Sequence, residues 1–179
     1  GYAFPDDLLD TSDGVARAYA DGVTMGADLS PDMADEQISA DGAPKFAVWA
    51  QADADSAPLQ RLQIIKGWID VEGKTHERVI DVACAGGVAV DPRTNRCPDN
   101  GATVDLGDCS TSADTGASEL RTVWTDAEFD ANQRSFYYAR VLENPTCRWN
   151  TWDALYAGTQ PRSAATPNHR KQLPAIVLR

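Results

Sequence analysis

The segment Ser135–Glu143 limits the possible folds more than any other part of the sequence. Its residues alternate between two sets, Phe136, Tyr138, Arg140 and Leu142 in one and Tyr137, Ala139, Val141 and Glu143 in the other. Alternation with a period of two, in a run rich in aromatic residues, is typical of a β-strand. We therefore predict a strand here, and we expect it to be the central strand of a sheet.

Other short apolar runs, each bounded by turn-forming residues, predict further strands. They are Lys45–Gln51, Leu59–Asp70, Thr75–Cys84, Glu119–Thr125, a short piece at Ala102–Leu106 and a closing edge strand at Leu173–Leu178. A change of phase at Ile64 and Ile65 indicates a bulge or a strand that is buried on both faces. The residues Glu72–Lys74 read as a tight turn, so the strands on either side are expected to form a hairpin.

Helical signals are few and short. One or two turns are predicted at Gly14–Ala20, and the segment Thr151–Gly158 has Thr151 as its N-cap and Gly158 as its C-terminal stop. Because no helix alternates regularly with the strands, a doubly wound α/β fold is not favoured. The predicted fold is mainly β: an antiparallel β-sandwich, immunoglobulin-like or similar, with long loops and one or two short helices.

The chain length of 179 residues fits one domain, or one domain with a substantial extension. Residues 1–42 are rich in Asp, Ala and Gly, so we predict a loop-rich lead-in that packs on the main body. Residues 43–179 then form the β-sandwich domain. In the lead-in, Asp28 follows two glycines four residues apart, and we interpret it first as a turn-capping carboxylate and second as a ligand.

The charge balance and the missing motifs exclude several classes of function. The formal charge of -11 would repel phosphate backbones, so no nucleic acid is expected as a partner. No run approaches the roughly 20 apolar residues that cross a bilayer, so no membrane insertion is expected. His76 and His169 lie far apart, and no calcium loop, nucleophile elbow or Walker loop is present. Carboxylate pairs such as Asp126 with Glu128 are expected on exposed turns, so no catalytic, metal or cofactor site is predicted.

The four cysteines favour disulfide bonds, because none of them forms a Cys-x-x-Cys pair. The long loop Ala85–Thr115 contains two of them and needs something to order it. Of the three possible pairings we prefer Cys97 with Cys109 and Cys84 with Cys147, and four reduced thiols are the alternative. Disulfides imply an oxidising compartment, so a periplasmic or extracellular location is expected.

The loop before the second helix carries the best candidate surface for an interaction. Arg148, Trp149 and Trp152 lie close together in sequence, and two indoles beside an arginine stack on a sugar ring or dock on another domain. Docking between domains is the favoured interpretation. The other three tryptophans fall on predicted strands and are assigned to packing; they are Trp49, Trp68 and Trp124.

Three stretches resemble the C-terminal region of the bacterial domain-of-unknown-function 3604 family (DUF3604). They are residues 18–29 (AYADGVTMGADL), 44–68 (PKFAVWAQADADSAPLQRLQIIKGW) and 117–155 (ASELRTVWTDAEFDANQRSFYYARVLENPTCRWNTWDAL). The resemblance implies an exported protein with an N-terminal domain related to the PHP metal-dependent phosphoesterases. The His-x-His motif of such a domain has no match here, so no catalytic residue is carried over. An export signal would lie upstream of Gly1, which is then not the natural start.

These observations lead to three functional hypotheses. The first is a non-catalytic C-terminal β domain, a structural or auxiliary partner of the missing N-terminal PHP-like hydrolase domain of the same exported protein. The second is an extracellular carbohydrate- or polymer-binding module that uses the Arg148–Trp152 loop. An independent enzyme is the third and least favoured. A docking domain would expose a wide apolar surface, whereas a binding module would show an aromatic cleft with a polar rim.

Overall fold

Two antiparallel sheets form the body of the protein in the computed structural model, which describes residues 1, 4–29, 43–112 and 114–160. The first sheet pairs β1 with β4, and the second has the order β3-β2-β5. The strands are β1 (Lys45–Gln51), β2 (Leu59–Ile69), β3 (Thr75–Cys84), β4 (Glu119–Thr125) and β5 (Ser135–Glu143). Two short helices accompany them, α1 (Gly14–Asp21) and α2 (Trp149–Tyr156). The mainly β class is thereby confirmed, as is a short helix near Gly14.

Side chains from both sheets form one hydrophobic core. Strands β1 and β4 contribute Phe46, Val48, Ala50 and Leu120, and strands β2 and β5 contribute Leu59, Leu62, Ile64, Tyr137, Ala139 and Val141. The rings of Phe46 and Tyr137 lie 4.6 Å apart between the two sheets. Each large apolar side chain buried in this way stabilises the fold by about 1.5–3 kcal/mol. The alternation predicted for β5 is confirmed, since Tyr137, Ala139 and Val141 are its core-facing residues.

The central strand of the described three-stranded sheet is β2, and the prediction that β5 holds this position is wrong. β2 pairs with β3 on one side and with β5 on the other. Its residues Leu62–Gly67 are buried without interruption, because both faces of the strand are covered. The register with β3 shifts between Leu62 and Gln63, so the predicted bulge exists and lies close to the phase change that indicated it.

The turn between β2 and β3 is a tight one, as predicted. The amide of Gly73 donates to the carbonyl of Asp70, and Gly73 has a φ of 81°, which glycine adopts without strain. The Asp70 carboxylate accepts hydrogen bonds from the amides of Glu72 and Lys74. Its other oxygen lies 2.6 Å from Nε2 of His76, and this contact is the largest cause of the lowered pKa of Asp70.

Residues 4–29 of the lead-in pack on the sheet formed by β1 and β4. Phe4 and Leu8 are buried in a second small cluster together with Val23, Ala47 and Val123. Residues from the lead-in, from β1 and from β4 therefore pack together in one apolar cluster. This arrangement places α1 beside the outer face of β1.

The four cysteines form two disulfides, but their pairing differs from the preferred one. Cys84 is bonded to Cys97 and Cys109 to Cys147. Cys84 ends β3, and the amide of Cys97 donates to the carboxylate of Asp81 on the same strand, so these two sulfurs meet. The preferred pairing assumed that one surface loop is closed on itself. Instead, Cys97 is attached to the end of β3, and Cys109 is attached to the segment between β5 and α2.

Two local predictions also need correction. Helix α2 begins at Trp149, with Arg148 as the N-cap, because the Arg148 carbonyl accepts the amides of Thr151 and Trp152. Thr151 is therefore a buried residue inside the helix and not its cap. Gly158 follows the last turn with a φ of 64°, as its role as a stop requires. The strand predicted at Ala102–Leu106 is reduced to an isolated bridge between Val104 and Thr111, and the one at Leu173–Leu178 lies outside the described residues.

Candidate functional site

The loop selected from the sequence leads into an exposed aromatic surface. Trp149 is 76% exposed, Trp152 40% and Tyr156 84%, and the rings of Trp152 and Tyr156 stack with centroids 6.0 Å apart. We call these three residues the aromatic helix surface. Arg148 is exposed beside them. Tyr156 was not predicted as part of this surface, although its spacing of four residues from Trp152 places both side chains on one helix face.

Asp28 does not join this surface through any hydrogen bond, ion pair or ring contact with the described residues. It is exposed in the stretch that follows α1. The capping role of Asp28 stays a prediction; the turn just before it is closed by the amide of Ala27, which donates to the carbonyl of Thr24.

An apolar groove lies between the lead-in and β1. Its volume is about 610 Å³, and its walls are almost entirely hydrophobic side chains. Four large apolar residues on its walls are exposed to solvent, and we define the apolar groove by them: Val15, Tyr19, Met25 and Trp49. Trp49, which the sequence assigned to packing, is 39% exposed and carries the guanidinium of Arg121 at 5.6 Å from its ring centre.

A buried polar cluster occupies one end of the core, and we call it the lysine cluster: Lys66, Asp126 and Tyr137. Lys66 is only 5% exposed and Asp126 only 2%. Nζ of Lys66 lies 2.5 Å from Oδ2 of Asp126, and the Tyr137 hydroxyl donates to the same oxygen at 2.5 Å. The ammonium also donates to the carbonyl of Glu128 at 2.9 Å. The sequence placed Asp126 on an exposed turn, and this assignment is wrong.

The surroundings of the lysine cluster are aromatic. Nζ of Lys66 lies 5.6 Å from the ring centre of Trp68 and 5.7 Å from that of Tyr137. A cavity of about 170 Å³ adjoins the cluster, and the ion-paired side chains of Arg78 and Glu128 also line it. Burial, followed by the hydrogen bond to Asp126, raises the pKa of the Tyr137 hydroxyl above its usual range, so the phenol stays protonated.

The second buried carboxylate, Asp81, has a structural role. It is 2% exposed and accepts hydrogen bonds from Gln63 at 2.6 Å, from the amide of Cys97 at 2.7 Å, and from Arg61 at 3.0 Å. Arg96 approaches the same carboxylate at 3.3 Å. All these partners lie in β2 or in the loop after β3, so Asp81 holds the disulfide loop against the sheet.

Within the described ranges, no three side chains of the His, Cys, Asp or Glu type are grouped closely enough to hold a metal ion. Likewise, none of the helices in that part of the chain is long and apolar enough to cross a membrane.

The sequence matches a known protein family. The family model described as "Protein of unknown function (DUF3604)" covers residues 1–172. No curated protein and no solved structure matches the sequence. The match extends the resemblance found in three stretches over nearly the whole chain.

Proposed function

We propose, from the premise that the chain belongs to the DUF3604 family, that it is a non-catalytic β domain of a larger exported protein. In this proposal its partner is a PHP-like metal-dependent hydrolase domain of the same protein. The domain packs on that partner and shapes the approach to its active site. We also propose that the two sheets belong to an immunoglobulin-like sandwich.

The observation that carries this proposal is the apolar groove. Single exposed hydrophobic side chains are normal on protein surfaces, but Tyr19, Met25 and Trp49 line one continuous concavity. Removing such a surface from water is worth about 25 cal/mol for each Å² of apolar area. A groove of this kind is what a docked domain covers.

The two disulfides support the export part of the proposal. Both bonds, Cys84–Cys97 and Cys109–Cys147, would be reduced in a glutathione-buffered cytosol. A periplasmic or extracellular location keeps them oxidised.

Charged substitutions in the apolar groove are expected to weaken binding between this chain and the separately produced metal-binding domain. The variant Tyr19→Asp/Met25→Asp places two carboxylates where apolar area is buried, and we expect Kd to rise at least about tenfold. Isothermal titration calorimetry measures this change. The matched control is Val71→Asp, since Val71 is 94% exposed at the β2–β3 turn and does not line the groove.

Two results would contradict the docking proposal. One is equal affinity of the groove variant and of the Val71→Asp control. The other is a longer gene product that encodes no metal-binding domain.

The second candidate, an extracellular polymer-binding module, is favoured by the aromatic helix surface. Exposed rings such as Trp149 and Tyr156 stack on the apolar faces of sugar rings. In that case Trp149→Ala would abolish retention on an insoluble polysaccharide and leave the affinity for the metal-binding domain unchanged. The reverse pattern supports docking.

A further inference from the structure

The structure places a primary amine and a carboxylate in contact inside the core. Nζ of Lys66 and Oδ2 of Asp126 are separated by 2.5 Å, which is below the range of about 2.7–2.9 Å usual for a charge-assisted N–H···O bond. Because Oδ2 is bonded to Cγ by about 1.2–1.3 Å, the amine nitrogen lies within about 3.8 Å of the carboxyl carbon. This is close to the separation of reacting atoms in a near-attack arrangement.

We propose that Lys66 and Asp126 condense to an intramolecular isopeptide bond, with loss of one water molecule. The inference does not depend on the proposed function. It assigns a covalent modification to two side chains that would otherwise form a buried ion pair.

The condensation starts from the neutral form of the pair, an amine and a carboxylic acid. Two opposite charges in an apolar site lose their hydration, and their attraction does not always repay that loss. Transfer of one proton from the Lys66 ammonium to the Asp126 carboxylate removes both charges and produces an amine and a carboxylic acid. The rings of Trp68 and Tyr137 flank the amine, with their centres 5.6 Å and 5.7 Å from Nζ.

The condensation balances without any external reagent. The lone pair of Nζ attacks Cγ of Asp126, and a C–N bond forms as the carbonyl electrons move to Oδ1. The Cγ–Oδ2 bond then breaks, and Oδ2 leaves as water with one proton from the acid and one from the amine. The product is a neutral amide, and no atom is oxidised or reduced.

Tyr137 is positioned to assist this step. Its hydroxyl donates to Oδ2, the oxygen that leaves, and its raised pKa keeps that proton in place. A donor at the leaving oxygen polarises the carboxyl group and helps the hydroxide depart as water. The amide of Glu128 donates to Oδ1 at 3.0 Å, where negative charge develops during the attack.

The bond would link the two sheets covalently. Lys66 lies in β2 of the three-stranded sheet, and Asp126 directly follows β4 of the other sheet. A cross-link of this kind resists reduction, in contrast to the two disulfides. It would keep the core closed in a protein exposed to proteases and shear.

Intact mass under reducing and denaturing conditions tests the proposal on the 179-residue chain. We expect the wild type to be lighter than its sequence mass by one water, about 18 Da. Because trypsin does not cleave after an acylated lysine, the digest should contain residues 62–74 joined to residues 122–134. Cyclisation of an Asp-Gly pair also removes one water, but it leaves these two peptides separate.

The matched control is Lys66→Arg, which keeps the positive charge but has no nucleophilic amine at neutral pH. This variant and Asp126→Ala should both have their full sequence mass. Tyr137→Phe should reach the lower mass more slowly, so that samples taken soon after synthesis contain both species. A wild-type chain at its full sequence mass, or one without the joined peptide, would overturn the proposal.

Discussion

Replacing Asp81 with alanine is expected to lower the free energy of unfolding by about 3–5 kcal/mol, the usual cost of removing one partner of a buried charged pair. The substitution leaves the amide of Cys97 and the side chain of Gln63 without their acceptor. It also leaves the guanidinium of Arg61, whose side chain is only 16% exposed, without its carboxylate. Urea unfolding followed by circular dichroism measures the change.

Asp91→Ala is the control for this prediction. The Asp91 carboxylate is in a similar loop but is 43% exposed, and its ion pair with Arg93 has a separation of 3.8 Å. Exposed pairs of this kind contribute about 0–1 kcal/mol. If Asp81→Ala were no more destabilising than Asp91→Ala, Asp81 would not be the residue that holds the loop on the sheet.

The strands were predictable because their signals are local. In β5, the side chains of Phe136 and Tyr138 lie on one face of the strand, and those of Tyr137 and Ala139 lie on the other. This follows directly from the alternation of side chains along an extended chain. The tight turn at Gly73 follows in the same way from the need for a positive φ. Each of these features depends only on residues that are neighbours in the sequence.

The arrangement of the strands was not predictable from such signals. The aromatic and apolar composition of β5 suggested a central strand. The position of a strand in a sheet, however, depends on whether other strands pair with one or both of its edges. The unbroken burial of Leu62–Gly67 in β2 was the relevant sign, because a strand with both faces covered has no alternation to display. The change of phase in the apolar pattern at Ile64 could be seen in the sequence. Whether it marked a bulge or a strand buried on both faces depended on strands that are distant in the sequence.

The lysine cluster was not predicted from the sequence for a related reason. Asp126 and Glu128 are two residues apart and look alike in the sequence, yet Asp126 is buried while Glu128 is exposed. The difference between the two carboxylates is that Lys66, sixty residues earlier in the sequence, donates a hydrogen bond to the Asp126 carboxylate. The available sign was a lysine in the middle of an apolar strand, since a lysine that is fully buried is nearly always paired.

Removing the disulfide between Cys109 and Cys147 is the second large expected effect. The bond joins residues that are 38 positions apart, whereas Cys84 and Cys97 are 13 apart. In the chain-entropy model the longer loop is worth about 4 kcal/mol and the shorter one about 3 kcal/mol. We therefore expect Cys109→Ser/Cys147→Ser to be more destabilising than Cys84→Ser/Cys97→Ser in urea unfolding without reductant.

Noncovalent contacts around the two disulfides increase the expected difference in stability between the two variants. The loop that contains Cys97 stays attached to β3 through Asp81, even without its disulfide, because the amide of Cys97 still donates to that carboxylate. On the other side, Cys147 immediately precedes Arg148, the N-cap of α2. Amide hydrogen exchange in α2 should therefore accelerate in the Cys109→Ser/Cys147→Ser variant and stay near the wild-type rate in the other. Equal exchange in both variants would show that the longer disulfide does not position the aromatic helix surface.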